Sequence, residues 1–148
     1  MRFFLFLLLR MRKKITTKIT VGIARRGMLF AIGGSSYFLM ELLWRGWSHV
    51  TMFVLGGICF VLIGHLEEVE PKLPLWGRFL AGSAICTFGE LLFGLLFNRD
   101  YRIWDYRGLP MNWGGQICLY FTALWIPVSA GALWLYRKCS GWIKRGAV

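Results

Sequence analysis

Apolar residues fill four long stretches of the chain, and polar residues collect between them. The stretches are Met28–Trp47, Thr51–Leu66, Leu75–Phe97 and Gln116–Tyr136. At about 1.5 Å of rise per residue, about 20 apolar residues cross a hydrocarbon core of about 30 Å. Three of the stretches are long enough. The second covers about 24 Å and needs its flanking residues to span. The pattern predicts an all-α, polytopic integral membrane protein, a bundle of four transmembrane helices. Pro127 lies inside the fourth span and is expected to kink it.

The N-terminal segment has another character. In residues 1–26 a short apolar run, Phe3–Leu9, precedes Arg10, Arg12, Lys13, Lys14, Lys18, Arg25 and Arg26. The run is too short to span. A cleaved signal would put its basic residues before the apolar run, so cleavage is not expected. Three readings stay open: a basic amphipathic anchor on the inner membrane surface, a disordered tail, or an extension from an upstream start codon. Residues 27–137 form the membrane domain, and residues 138–148 form a basic tail.

Charge then sets the orientation. With four spans both ends share one side. That side carries the eight basic residues before Gly27, with Lys72, Arg78, Arg137, Lys138, Lys144 and Arg145. The opposite side carries Arg45, Arg99, Arg102 and Arg107. The positive-inside rule places both termini in the cytoplasm. The acidic middle loop, Glu67, Glu68 and Glu70, weighs little in that assignment.

Composition agrees with a membrane chain. Hydrophobic residues make up 57% of it and charged residues only 17%, against about 45–50% and about 25% in soluble domains. The net charge of +11 has no nucleic-acid-binding motif beside it, so it reads as topology and attraction to anionic lipid, not as a nucleic-acid surface. Cys59, Cys86, Cys118 and Cys139 form no C-x-x-C pair, and His49 and His65 stand alone. Neither a disulfide framework, a metal site nor a cofactor is expected. No G-x-x-x-x-G-K-[ST] run is present, so ATP hydrolysis would need a separate subunit.

Two carboxylates interrupt the apolar runs. Glu41 and Glu90 each lie close to the outer end of an outward-running span. A carboxylate in hydrocarbon costs roughly 2.5 kcal/mol or more, so it needs a partner or a task. Ser83, Thr87, Glu90 and Gly94 share one helical stripe, as do Gly34, Tyr37, Glu41 and Arg45. Small residues on such stripes favour contact with protein over lipid. On a structural reading, Glu41 pairs with Arg45 at i, i+4, and Glu90 bonds an outer-loop arginine or Gln116. On a functional reading, the two glutamates with Arg45 and Gln116 form an outward-facing polar pocket for a proton, a cation or a small polar solute. Two carboxylates could also serve acid–base chemistry, yet no nucleophile–base pair accompanies them. A faint duplication links Glu41-Leu-Leu-Trp44 with Glu90-Leu-Leu-Phe93 and Gly56-Gly57 with Gly114-Gly115. It would make the chain a repeated helical hairpin. The paired glycines themselves read as packing or bending points.

The outer loop is the most distinctive stretch. Trp104, Tyr106 and Trp113 suit an interfacial belt. Gly108, Pro110, Asn112 and Gly114-Gly115 are turn formers, and Asp105 has arginines nearby to pair with. The loop reads as a cap on the bundle, a lid, or a surface for a partner.

The run W-D-Y-R-G-L-P-M-N-W-G-G-Q-I-C-L at Trp104–Leu119 resembles the W-D-Y…P-x-N…G-x-I-C-L signature of small bacterial membrane proteins grouped as ABC-transporter type IV permeases. Through that resemblance Trp104, Asp105, Tyr106, Pro110, Asn112 and Gly115 are signature positions, and Glu90 matches the family's upstream glutamate. Arg107 departs from the family, which often has serine there, so no hydroxyl role carries over to this position. The resemblance implies a multi-pass protein of the bacterial cytoplasmic membrane and a transport-related role, such as a permease component. Four helices make a thin wall around a pathway, so a homo-oligomer or a larger membrane complex is expected, with a separate ATP-binding subunit as one partner. A non-transporting structural or regulatory protein and a small lipid-modifying enzyme are the rival readings.

Overall fold

The computed structural model describes the backbone of residues 2–146 and the side chains of residues 12, 16 and 19–146. Helix α1 covers Arg2–Arg45, α2 Val50–Val69, α3 Leu75–Phe97 and α4 Leu119–Gly146. Two short strands, β1 at Asn112–Trp113 and β2 at Ile117–Cys118, pair antiparallel in the α3–α4 connection. Each helix holds a segment long and apolar enough to cross a membrane: Ile19–Arg45, Val50–Val69, Leu75–Phe97 and Leu119–Gly146.

Local chemistry explains where the elements end. The first helix stops at Arg45, not at Trp47, because Gly46 takes φ 79°. Its N–H returns to the Leu42 carbonyl at 2.9 Å, a left-handed C-cap that suits glycine. His49 caps α2 by accepting the Thr51 N–H on Nδ1 at 3.3 Å. That helix runs on to Val69, so Glu67 and Glu68 sit in its last turn and not in a loop. The fourth helix begins at Leu119, after the expected Gln116, because residues 112–118 are committed to the hairpin. It passes through Pro127 and continues to Gly146, which makes the first part of the basic tail helical. The basic N-terminal segment is likewise helical from Arg2 and continuous with the first span. Most of the side chains that would define its amphipathic face, those before residue 19 other than 12 and 16, lie outside the described residues.

Packing runs α1 on α2, α2 on α3 and α3 on α4, with α2 also against α4; the α1–α4 seam is the loosest of these helix pairs. Between α1 and α2 the paired glycines each receive an aromatic ring. Phe60 covers Gly33, Phe53 covers Gly34, Tyr37 covers Gly56 and Phe30 covers Gly57. A Cβ at any of the four would collide with the ring above it, so these glycines are what allow the two backbones to approach. Gly114 and Gly115 do not repeat this role. They form the hairpin turn, with φ 59° and 66°, so that part of the expected duplication is not one of matched spans.

The polarity runs opposite to that of a soluble protein. Leu43, Trp44, Trp76, Phe88 and Trp134 face outward, while Ser83, Glu90, Asn98, Gln116 and Ser129 are buried. In lipid an exposed apolar side chain needs no cover, and of these interior polar side chains all but Ser129 have a hydrogen-bond partner.

At the end of the bundle away from the hairpin, the two carboxylates of α2 tie the helices together. Glu67 Oε1 accepts from Arg78 Nη1 at 3.2 Å and Arg137 Nε at 2.7 Å. Glu68 Oε1 accepts from Arg25 Nη2 at 2.6 Å and the Tyr136 hydroxyl at 3.2 Å. Arg25 also donates to Ser140 Oγ at 2.6 Å. Carboxylates at a helix C-terminus oppose the helix dipole. Arginines from α1, α3 and α4 offset that here.

Candidate functional site

The outer loop is organised around Asn98, which caps α3 and is fully buried. Its side-chain amide donates to the Trp104 carbonyl at 2.6 Å and to Gln116 Oε1 at 3.2 Å. Its Oδ1 accepts the Ile103 N–H at 2.8 Å. Gln116 returns the contact through Nε2 to the Asn98 carbonyl at 2.9 Å. The Trp104 indole N–H meets the Gln116 carbonyl at 2.9 Å. Every one of these groups is away from water and has a partner, as a buried polar network requires.

The hairpin completes the loop. Gln116 N–H bonds the Trp113 carbonyl at 3.2 Å across Gly114-Gly115, a turn that asks for positive φ at both central positions. A Cβ on Gly115 would also strike the Arg107 side chain. Asn112 accepts the Gly115 N–H at 3.0 Å and donates to the Leu109 carbonyl at 2.8 Å. Pro110 sits in the turn leading to β1. Asp105 takes a two-pronged contact from Arg107, Nη2 to Oδ2 at 2.7 Å and Nε to Oδ1 at 2.9 Å. These bonds hold the Asp105 carboxyl at about 2, below the ordinary aspartate value, and push the Arg107 guanidinium up. The guanidinium also stacks over the Tyr101 ring at 4.0 Å. Arg107 therefore serves the loop through its charge and plane.

This frame delivers Tyr106 to the bundle. Its ring lies flat on Phe121, with centroids 4.6 Å apart. Its hydroxyl donates to Glu90 Oε1 at 2.8 Å. Burial first, and the neighbouring Glu90 second, push the Tyr106 phenol well above its ordinary value. It therefore stays a donor. The other carboxylate oxygen, Oε2, accepts the Trp125 indole N–H at 2.9 Å from α4. Glu90 is only 2% exposed. Its partners are neither an outer-loop arginine nor Gln116, the two expected from the sequence. Gln116 is committed to Asn98, and Arg107 to Asp105. The stripe around Glu90 does face protein: Ser83 Oγ donates to the Thr122 carbonyl at 2.6 Å, Thr87 meets Thr122 Oγ1 at 3.2 Å, and Gln116 lies over Gly94.

Glu41 has different company. Its Oε2 accepts from Arg45 Nη2 at 2.8 Å and from Ser48 Oγ at 2.5 Å. Arg45 also donates to the Ile103 carbonyl at 2.6 Å and stacks over Trp47 at 4.3 Å. The i, i+4 ion pair thus ties α1 to the outer loop.

The two glutamates line neighbouring cavities. An outer one of about 340 Å³ is bounded by Glu41, Arg45, Trp44, Trp104, Tyr106 and Phe121. An inner one of about 290 Å³ is bounded by Glu90, Cys59, Cys86, Leu55, Phe60 and Ile63. Tyr37, Met40, Trp125 and Val128 border both. Tyr37 and Trp125 face each other with ring centroids 5.7 Å apart and partition the space.

Trp125 went unnoticed in the sequence, although a signal existed. An indole N–H deep inside an apolar span must find an acceptor, and Glu90 is the acidic residue at matching depth. Tyr37 was visible only as a member of the Glu41 stripe.

A family model described as "Putative ABC-transporter type IV" matches residues 27–144. No curated protein and no solved structure matches the chain.

Proposed function

Since this chain belongs to the ABC-transporter type IV family, we propose that it is a solute-handling membrane component whose polar site is the inner cavity at Glu90. The family and the four apolar helices make it a transport-related, multi-pass membrane protein. The finer reading rests on one observation. Glu90 is a buried carboxylate whose two partners, Tyr106 and Trp125, are neutral donors, and no basic side chain borders its cavity among the described residues. A carboxylate in a water-poor interior calls for a proton or a cation. Glu41, already neutralised by Arg45, serves as the wall of an outer vestibule. In this reading the chain binds and passes its solute without making or breaking bonds. The termini face the cytoplasm of a bacterial cell and the hairpin faces outward. The thin four-helix wall is completed by further copies or by a partner complex, with energy supplied by a separate ATP-binding subunit.

Proteoliposomes test this. Purified protein should carry a proton or a monovalent cation down an imposed potential. Glu90→Gln should abolish the flux while its elution profile and melting temperature stay close to those of the parent. An absence of flux from the parent, together with loss of folding in Glu90→Gln, would leave Glu90 a structural residue and end the proposal.

A further inference from the structure

We propose that the inner cavity binds an organic monocation with an apolar body, an alkylammonium ion, which enters sideways from the bilayer between α1 and α4. The proposal rests on the site assigned above but not on flux through it. Three features of the cavity select this chemistry. Its single acidic group is Glu90, and each carboxylate oxygen accepts one hydrogen bond, leaving lone pairs for a cation. Its aromatic walls are Tyr37, Phe60 and Trp125, whose faces attract alkylammonium groups. Its remaining surface is mostly aliphatic, as at Leu55 and Ile63. Sodium or potassium would need several converging oxygens to replace its water, and the side-chain oxygens on this wall are limited to Ser36, Tyr37 and Glu90. An alkylammonium ion gives up little hydration and needs no such cage. A volume of about 290 Å³ stands at the small end of ligand sites, so the cation is small.

The route follows from charge and exposure. The outer vestibule offers a cation no free carboxylate, because Glu41 is already spent on Arg45 and Ser48. The inner cavity instead has a lateral rim of exposed residues, Ser36 and Met40 on α1 and Gly131 on α4, at the loosest seam of the bundle. Gly131 has nothing within 4 Å of where a Cβ would lie.

Binding of tetramethyl- to tetrapropylammonium to the full chain in lipid nanodiscs tests the idea, with 3,3-dimethylbutan-1-ol as a neutral, shape-matched probe. Saturable binding is expected, with the neutral probe at least about tenfold weaker. Glu90→Gln should weaken the cations at least about tenfold and leave the alcohol unchanged. Gly131→Phe fills the open rim without touching Glu90 and should slow or abolish binding. Equal affinity for cation and alcohol, or displacement by equimolar sodium or potassium, would overturn the ligand class. Parent-like binding to a folded Gly131→Phe would overturn the lateral route. Ammonium binding without flux would leave this inference standing and remove the transport reading; flux of another solute without ammonium binding would do the reverse.

Discussion

The Tyr106 hydroxyl, carried by the outer loop, donates to Glu90 Oε1 in the third helix at 2.8 Å. A loop residue thereby completes the coordination of a buried membrane carboxylate. Any disturbance of the loop frame that moves Tyr106 leaves that oxygen unpaired.

Tyr106→Phe removes one hydroxyl and keeps the ring on Phe121. Leaving a buried acceptor unmatched costs about 1–3 kcal/mol. Thermal unfolding in mild detergent should show a loss of that size. Combining it with Glu90→Leu, which has no acceptor to offer, should give less than the sum of the two separate losses, because both remove the same contact. Strict additivity would mean that the hydrogen bond carries no energy of its own.

The Glu67 clasp should be asymmetric. Glu67 Oε1 serves two arginines, from α3 and α4. Glu67→Gln leaves two guanidinium groups facing each other, whereas Arg137→Gln leaves one intact pair to Arg78. With these groups partly exposed, the first should cost about 1–2 kcal/mol and the second less than about 1 kcal/mol. Equal losses in a denaturation series would contradict the shared-oxygen arrangement.

Glycine positions offer a matched pair. A Cβ on Gly64 would lie 2.0 Å from the Tyr136 ring. That ring is held against Phe60, with centroids 5.6 Å apart, and by Glu68. It has little room to yield, so Gly64→Ala should destabilise the bundle by about 1–3 kcal/mol. Gly131→Ala enters open space and gains helix propensity of up to about 1 kcal/mol. Melting temperatures should therefore move in opposite directions, and a parallel fall would refute the packing argument.

The Asp105–Arg107 contact predicts an Asp105 carboxylate indifferent to ordinary pH. The folded carboxyl sits at about 2, depressed from the usual aspartate value. Its contribution is complete above the unfolded value of about 3.9 and fades only as pH falls toward 2. The Asp105 carboxyl resonance, followed by NMR, should stay flat between about pH 5 and 8 and move only below about pH 4. A midpoint at the unfolded value would mean that the Arg107 contact does not form.

The helical spans were readable because lipid imposes a simple rule: long apolar runs and satisfied backbones. Helix ends were less legible, since Gly46 stops α1 through its backbone angle and residues 112–118 divert into a hairpin. Glu41 with Arg45 followed from helical spacing alone. The partners of Glu90 did not. Tyr106 and Trp125 lie 16 and 35 residues away, and no local pattern encodes which of several donors a folded loop will present. The role of Glu67 and Glu68 was hidden for a related reason. As loop residues they were mere charge; as the last turn of α2 they face three neighbouring helices.

The first helix is fastened like a door. Along its middle it meets α2 through rings and glycines, contacts that lipid tails can largely replace. Its polar ties to other helices and to the outer loop, among the described residues, are Arg25 to Glu68 and Ser140 at one end and Arg45 to the Ile103 carbonyl at the other. Two guanidinium latches, one beside each membrane face, therefore carry most of the directional resistance to swinging this helix away from the rest of the bundle. Salt or competing anions acting at the water interfaces would reach both without ever entering the hydrocarbon.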